Sequence, residues 1–366
     1  MKNTIGYIHR NNTAYRQYCS GRTKLSTPPI AMWLETTNRC NLRCIKCAHH
    51  YGLGRPPGNM ERRLFTHLIR QARGKVHHLT VNGVGEALLH PELFRMITEA
   101  KEAGIPQVLL HTNATLLTER KSRGLLESGL DSVMISFDSE FPDEYERIHR
   151  GAKYEKTLSN ILRLLRMKKK RGSAGPMVSI KIVRVFESRA SRRDPDPGFL
   201  ELFRGLPVDR IYTAPIHSTG SYSESLKKLP SLASAAADPR RGKRYVPCLR
   251  PYTGISITWD GSAMACFQDY RNEYPGGDVT RHGLMDVWNG SAMRELRGRL
   301  MAGPEGLPSP CSECSTTWRS SPNVDWQWMA ARSWLDLPRV LTRYHMPLLR
   351  RRICRIPVLN RNLGVW

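Results

Sequence analysis

Apolar and polar positions alternate in blocks along this chain. Short apolar runs at Ile30–Glu35, Val76–Val81, Val108–His111, Ser132–Phe137, Val178–Val185 and Val208–Tyr212 read as strands. Between them lie stretches of helical period. Met60–Arg73 puts Leu64, Leu68 and Ile69 on one face, and a helix follows Pro91. Leu116–Ser128 closes at Gly129; Asp143–His149, Tyr154–Lys170 and Gly198–Arg204 complete the set. Strands alternating with helices predict a parallel sheet of right-handed βαβ units, and six of them suit an α/β fold of the partial (β/α)6, TIM-like kind. In such barrels the chemistry gathers at the carboxyl ends of the strands.

A different pattern follows strand six. Thr213–Tyr245 is rich in Ser, Ala, Pro and Lys and reads as a linker. Ile255–Trp259, the turn Asp260-Gly261 and Ala263–Ala265 then alternate as a β-hairpin. The expected organisation is a basic arm at 1–29, a barrel at 30–213, a linker at 214–247, a small hairpin domain at 248–318 and an Arg/Trp-rich tail at 319–366. The arm lacks a clear period.

Thiols mark both folded parts. Cys40, Cys44 and Cys47 follow the first strand in C-x3-C-x2-C spacing. Three thiolates on one loop suit a soft metal centre and leave a coordination position open, where chemistry happens. A zinc knuckle using His49 or His50 is the alternative. Cys248, Cys266 and the pair Cys311–Cys314 form a second set of four, enough to close a tetrahedral site; structural zinc is the alternative there too. Cys19 and Cys354 read as bystanders.

Polar residues stand at the ends of the next strands: Gly83, Gly85 and Glu86 after strand two, Thr112-Asn113 after strand three, Ser136 and Asp138 at strand four. The cysteine triplet with these strand-end residues resembles the radical S-adenosylmethionine (SAM) superfamily. The resemblance implies a 4Fe–4S cluster on Cys40, Cys44 and Cys47 whose unique iron binds SAM and whose electron cleaves it to a 5′-deoxyadenosyl radical. It implies SAM contacts from Gly83, Gly85, Glu86, Asn113, Ser136 and Asp138, the Glu86 carboxylate facing the ammonium, and a flavodoxin- or ferredoxin-type electron donor. Ala87 stands where the family usually has Pro, Val84 where Gly is commoner, and Lys46 where an aromatic or apolar residue is frequent near the adenine. The later set, including Cys248-x12-Gly261-x4-Cys266, resembles a SPASM or twitch domain. Its length implies the twitch pattern, with one fully ligated auxiliary 4Fe–4S cluster and net oxidation or cross-linking of the substrate.

Composition adds bounds. No apolar run is long enough to cross a bilayer, and nine cysteines without an export signal predict metal ligation in a reducing, cytoplasmic setting. The net charge of +25 fits a lineage bias toward Arg, nucleic acid, anionic lipid or an acidic substrate. The tail carries nine Arg against two Asp and suits either a membrane surface or packing on the barrel. The short arm leaves no room for a peptide-recognition domain, which turns the expectation toward a small molecule such as a sugar or aminocyclitol. The alternatives are a peptide maturase with a separate recognition partner, an RNA-modifying radical enzyme and a non-enzymatic metal-binding module. Arg184, Tyr212 and His217, near the ends of strands five and six, are the candidate substrate contacts.

Overall fold

In the computed structural model the described residues are 2–185, 194–215 and 242–319. Strands β1 (Ala31–Leu34), β2 (His78–Thr80), β3 (Gln107–Thr112), β4 (Ser132–Ser136), β5 (Met177–Arg184) and β6 (Arg210–Pro215) pair in parallel, each with its successor. Side chains alternate between the two faces. Val108 and Leu110 of β3, Val133 and Ile135 of β4 and Val178, Ile180 and Ile182 of β5 form one face, buried with helix residues such as Phe65, Leu68, Met96, Ile97, Leu125, Ile161 and Leu164. The other face lines the lumen, and carries His111, Met134, Ser136, Lys181 and Tyr212. Partial-barrel architecture is what the alternating pattern predicts.

The N-terminus differs from the expected arm. Residues Lys2–Cys19 form a helix, α1. Its inward face carries Tyr7, Asn11, Ala14, Gln17 and Tyr18, all buried, at helical spacing. Tyr7 stacks on His77 with ring centroids 4.2 Å apart, and the Tyr18 hydroxyl donates to Pro247 O at 2.8 Å. A buried face made largely of Tyr, Asn and Gln gives no apolar period, which hides the helix from a hydropathy reading.

The second part is fused to the first through the sheet. Beyond β7 (Arg244–Tyr245), β8 (Gly254–Ile257) runs parallel to β1 in the register Ala31↔Gly254, and β9 (Ser262–Met264) and β10 (Pro275–Asp278) continue antiparallel. The result is one nine-stranded sheet ordered β10-β9-β8-β1-β2-β3-β4-β5-β6. β11 (Trp318–Arg319) pairs with β7 as a separate ribbon. Helix Ser291–Ala302 is anchored by Arg297, whose buried guanidinium donates to Pro251 O, Thr23 O and Trp288 O, each at 2.8 Å. The hairpin around Asp260-Gly261 forms where its alternation predicts, with Gly261 at φ +95. Most of the linker, His217, Cys354 and the tail beyond residue 319 lie outside the described residues.

Candidate active site

The cysteine loop leaves β1 at its carboxyl end and is fastened on every side. Asn38 donates to Pro56 O and accepts from Gly58 N, at 2.8 and 2.7 Å. Arg43 N and Ile45 N donate to Arg150 O and Ile148 O, both at 3.0 Å, which joins the loop to the end of helix α5, counted in chain order (Pro142–Ile148). Gly85 packs against the loop's backbone so closely that an added Cβ would lie 2.4 Å from Thr37 O and 2.6 Å from Arg39 O. Only glycine fits there.

The three thiols are partly open and share one electrostatic neighbourhood. Burial, followed by the fields of Glu86 and Cys47, pushes the Cys40 thiol up to about 11 against a stabilising N–H from Leu42. Burial raises Cys44 as well, with Cys47 next, and burial raises Cys47. Thiolates here repel one another, so the set can ionise together only around a cation. Among the described residues no three Cys, His, Asp or Glu side chains are grouped to hold a single metal ion; three soft thiol donors that act on one another across one loop are of the kind that suits a larger iron–sulfur cluster.

Glu86 is turned inward. Its carboxylate accepts from Thr112 Oγ1 at 2.7 Å, Asn113 N at 2.8 Å and Leu88 N at 3.2 Å, and burial holds its pKa above the ordinary range despite these donors. It therefore ties the end of β2 to the end of β3, instead of presenting a free carboxylate to an ammonium as expected. Asn113 donates to Asn41 Oδ1 at 3.2 Å, and its Oδ1 accepts from Thr115 N and Oγ1, so it bridges strand three to the cysteine loop.

Asp138 is also engaged. Its Oδ2 lies 2.7 Å from Lys46 Nζ and 2.8 Å from His149 Nε2, while Oδ1 accepts from Val183 N at 3.2 Å. Burial works to raise this carboxyl, but Lys46 and His149 hold it well below the usual carboxylate range. Its backbone is left-handed, at φ +60, which short Asp tolerates. His149 Nδ1 in turn stands 3.2 Å from Cys44 Sγ. The departure at Lys46 thus has a partner: the cation serves Asp138. Ser136 faces the lumen.

Arg184, expected to be available for an anionic group, is buried at 5% exposure. Both of its terminal nitrogens are bonded to Glu140, Nη2 to Oε1 at 2.8 Å and Nη1 to Oε2. This ion pair takes up both terminal nitrogens inside the protein. Tyr212 does sit in the lumen, its hydroxyl donating to Met134 Sδ at 3.1 Å with Arg210 over its ring at 3.9 Å. Sequence reasoning missed His149, Glu140, Lys181 and the pair Arg55–Glu35, whose guanidinium nitrogens donate at 2.8 and 2.7 Å. For Lys181 the signal was present: a charge inside an apolar strand.

Cys248, Cys311 and Cys314 are buried and Cys266 half-buried, around the hairpin and the turn Ser309–Ser312. Burial pushes Cys266 up to about 12, against Arg250, and it lies in the fields of Cys314 and Cys248; Cys311 is raised by burial and then by Cys266, Cys248 and Cys314. Thiols that raise one another in this way are of the kind that suits a shared cationic centre.

Residues 34–183 match the model of the radical SAM superfamily, and residues 248–315 match that of an iron–sulfur cluster-binding domain, SPASM. The chain belongs to the radical SAM superfamily. It is a radical SAM enzyme with a SPASM domain, and its cofactors are SAM and 4Fe–4S clusters, an auxiliary one among them. A tungsten-containing aldehyde ferredoxin oxidoreductase cofactor-modifying protein from Pyrococcus furiosus is 26% identical over 324 residues, covering 78% of this chain and 86% of that protein. PqqA peptide cyclase from Gluconobacter oxydans is 25% identical over 323 residues, covering 79% and 84%. Among solved structures, SuiB of Streptococcus suis bound to precursor peptide SuiA shares the fold at TM-score 0.56 and 15% identity, covering 86% of this chain and 73% of SuiB. BtrN in complex with AdoMet and 2-DOIA does so at 0.52 and 17%, covering 82% and 98%. Among the described residues no helix is long and apolar enough to cross a membrane.

Proposed function

We propose that this radical SAM enzyme modifies a peptide or protein substrate, with a separate partner assisting recognition. The observation that carries this reading is the likeness to PqqA peptide cyclase, because it runs through both the barrel and the auxiliary domain. The small-molecule reading drawn from the short N-terminus has weaker support: the likeness to BtrN is one of fold, and the 34% identity to a GTP 3′,8-cyclase of Limosilactobacillus fermentum spans only 35% of this chain.

In this reading Cys40, Cys44 and Cys47 hold the SAM-binding cluster, and Cys248, Cys266, Cys311 and Cys314 hold the auxiliary one. A reduced 4Fe–4S cluster with SAM supplies a 5′-deoxyadenosyl radical that takes a hydrogen atom from a substrate C–H bond. This chain's own side chains prepare the site. Glu86 locks the ends of β2 and β3, so the SAM contact expected of its carboxylate passes to the backbone of residues 83–85, with Asn113 and Ser136 nearby. Ile45, Ala48 and Leu53 form an apolar cluster with Ile148, Val183 and Val185, joined by Val84 and Tyr270, which backs the cysteine loop with an apolar wall. Four thiols at the auxiliary site leave no protein-free position, which suits electron handling and a net oxidation.

The test is anaerobic reconstitution followed by incubation with SAM, dithionite and short peptides encoded beside the gene. A peptide losing two hydrogens in step with 5′-deoxyadenosine supports the reading. Stimulation of SAM cleavage by sugars or aminocyclitols, with every peptide unchanged, contradicts it.

A further inference from the structure

One ammonium in the lumen has no counterpart. On β5, Val178, Ile180 and Ile182 pack among the helices, so Lys181 points to the opposite face. It lies in register with Ser136 of β4 and Tyr212 of β6. The charges that act on it are Lys46, which repels, and Asp138, which attracts but is already held by Lys46 and His149. Among the described residues the Lys181 ammonium makes no ion pair or hydrogen bond; only its backbone carbonyl is engaged, by Phe137 N and Asp138 N.

Other buried cations are met. Lys168 reaches Asp209 at 3.1 Å and Lys46 reaches Asp138 at 2.7 Å. Arg55 and Arg184 have Glu35 and Glu140, and Arg297 has its carbonyls. Lys181 is half-buried; an ammonium partly withdrawn from water without a partner is costly, and the cost is recovered when an anion arrives. His111 of β3 stands in the same field. Burial, and then Lys181, hold its imidazole down to about 4, so it stays neutral and adds hydrogen-bonding capacity without charge.

We propose that Lys181, with His111 two strands away on the same face of the sheet, is the specificity contact for a carboxylate of the substrate, so that the enzyme selects peptides with an acidic residue at or next to the modified position. This rests on the peptide reading above. The chain's charge of +25 accords with it, since a basic protein draws acidic ligands toward its mouth. A carboxylate reaches this lumen from two sources, the substrate or the methionyl end of SAM, and the test separates them.

The experiment uses reconstituted holoenzyme with SAM bound and two probes, N-acetyl-glutamate methylamide and its glutamine counterpart, with affinities measured by calorimetry or saturation-transfer NMR. The wild type should prefer the acidic probe by roughly tenfold, the scale of one charge-assisted bond. Lys181→Met should abolish the preference and Lys181→Arg should keep most of it. Lys181→Glu should turn it toward N-acetyl-lysine methylamide, a gain that misfolding cannot produce. Equal or absent binding of both probes to the wild type overturns the proposal, as does a preference that survives Lys181→Met. A loss of SAM affinity in Lys181→Met as large as the loss of probe affinity also overturns it, because the carboxylate would then be SAM's. Since capped residues probe the lumen directly, a protein that turns over no peptide would defeat the peptide reading without altering these affinities.

Discussion

Cys40, Cys44 and Cys47 come from one eight-residue loop and stay partly open, whereas Cys248, Cys266, Cys311 and Cys314 come from separated segments and are mostly buried. The first set is local. Its loop is held by Asn38, Gly85 and the end of α5, so the protein builds a rigid holder and leaves one side free. The second set exists only once β8, β9 and the Ser309–Ser312 turn have come together. Metal binding at such a site is coupled to folding, because the unfolded chain has no site to offer. The open holder is therefore expected to govern chemistry, and the closed one to govern the stability of its domain as well.

The largest effect should come from Cys44→Ala, which ought to eliminate 5′-deoxyadenosine formation while circular dichroism of the metal-free protein stays that of the wild type. Cys311→Ala should act differently. It should remove about half of the iron, one of two 4Fe–4S clusters, and lower the unfolding midpoint of the loaded protein toward that of the metal-free form. If the two variants behaved alike in midpoint and SAM cleavage, the contrast between the sites would collapse.

Smaller effects sharpen the contrast within the open site. Asp138→Asn leaves Lys46 without its buried partner and should cost about 3–5 kcal/mol in denaturant titration, the range for breaking a buried ion pair. The pH dependence follows from the depressed folded-state pKa of Asp138. Its contribution is complete above the unfolded value of about 3.9 and is lost as pH falls through the lower folded value. The wild type should lose stability below about pH 4, and the Asn variant should show a flatter curve there. Glu86→Gln should cost about 1–3 kcal/mol, because one buried oxygen becomes a donor facing donors. A Glu86→Gln protein of unchanged stability would mean that the clamp between β2 and β3 is not a fastening.

Much of this was legible in the chain because it is local. Thiol spacing, the Asp260-Gly261 turn and the alternation of Val178–Val185 are short-range patterns, and the turn and the strand form where they are expected. What escaped depends on distant partners. Lys46 looked out of place until Asp138 and His149 were seen beside it, and Arg184 looked available until Glu140 was found across from it. Helix α1 was read as an arm because its buried positions are Tyr, Asn and Gln. Nor does any local signal reveal that β8 adds to β1 and makes one sheet of two domains.

Iron and acid-labile sulfide should be counted in anaerobically reconstituted wild type, Cys44→Ala and Cys311→Ala, with 5′-deoxyadenosine assayed in the same samples. Two distinct clusters predict about eight irons in the wild type and about four in each variant, with product absent from Cys44→Ala. Zinc in place of iron, or a wild type that cleaves no SAM under reducing conditions, would contradict the account.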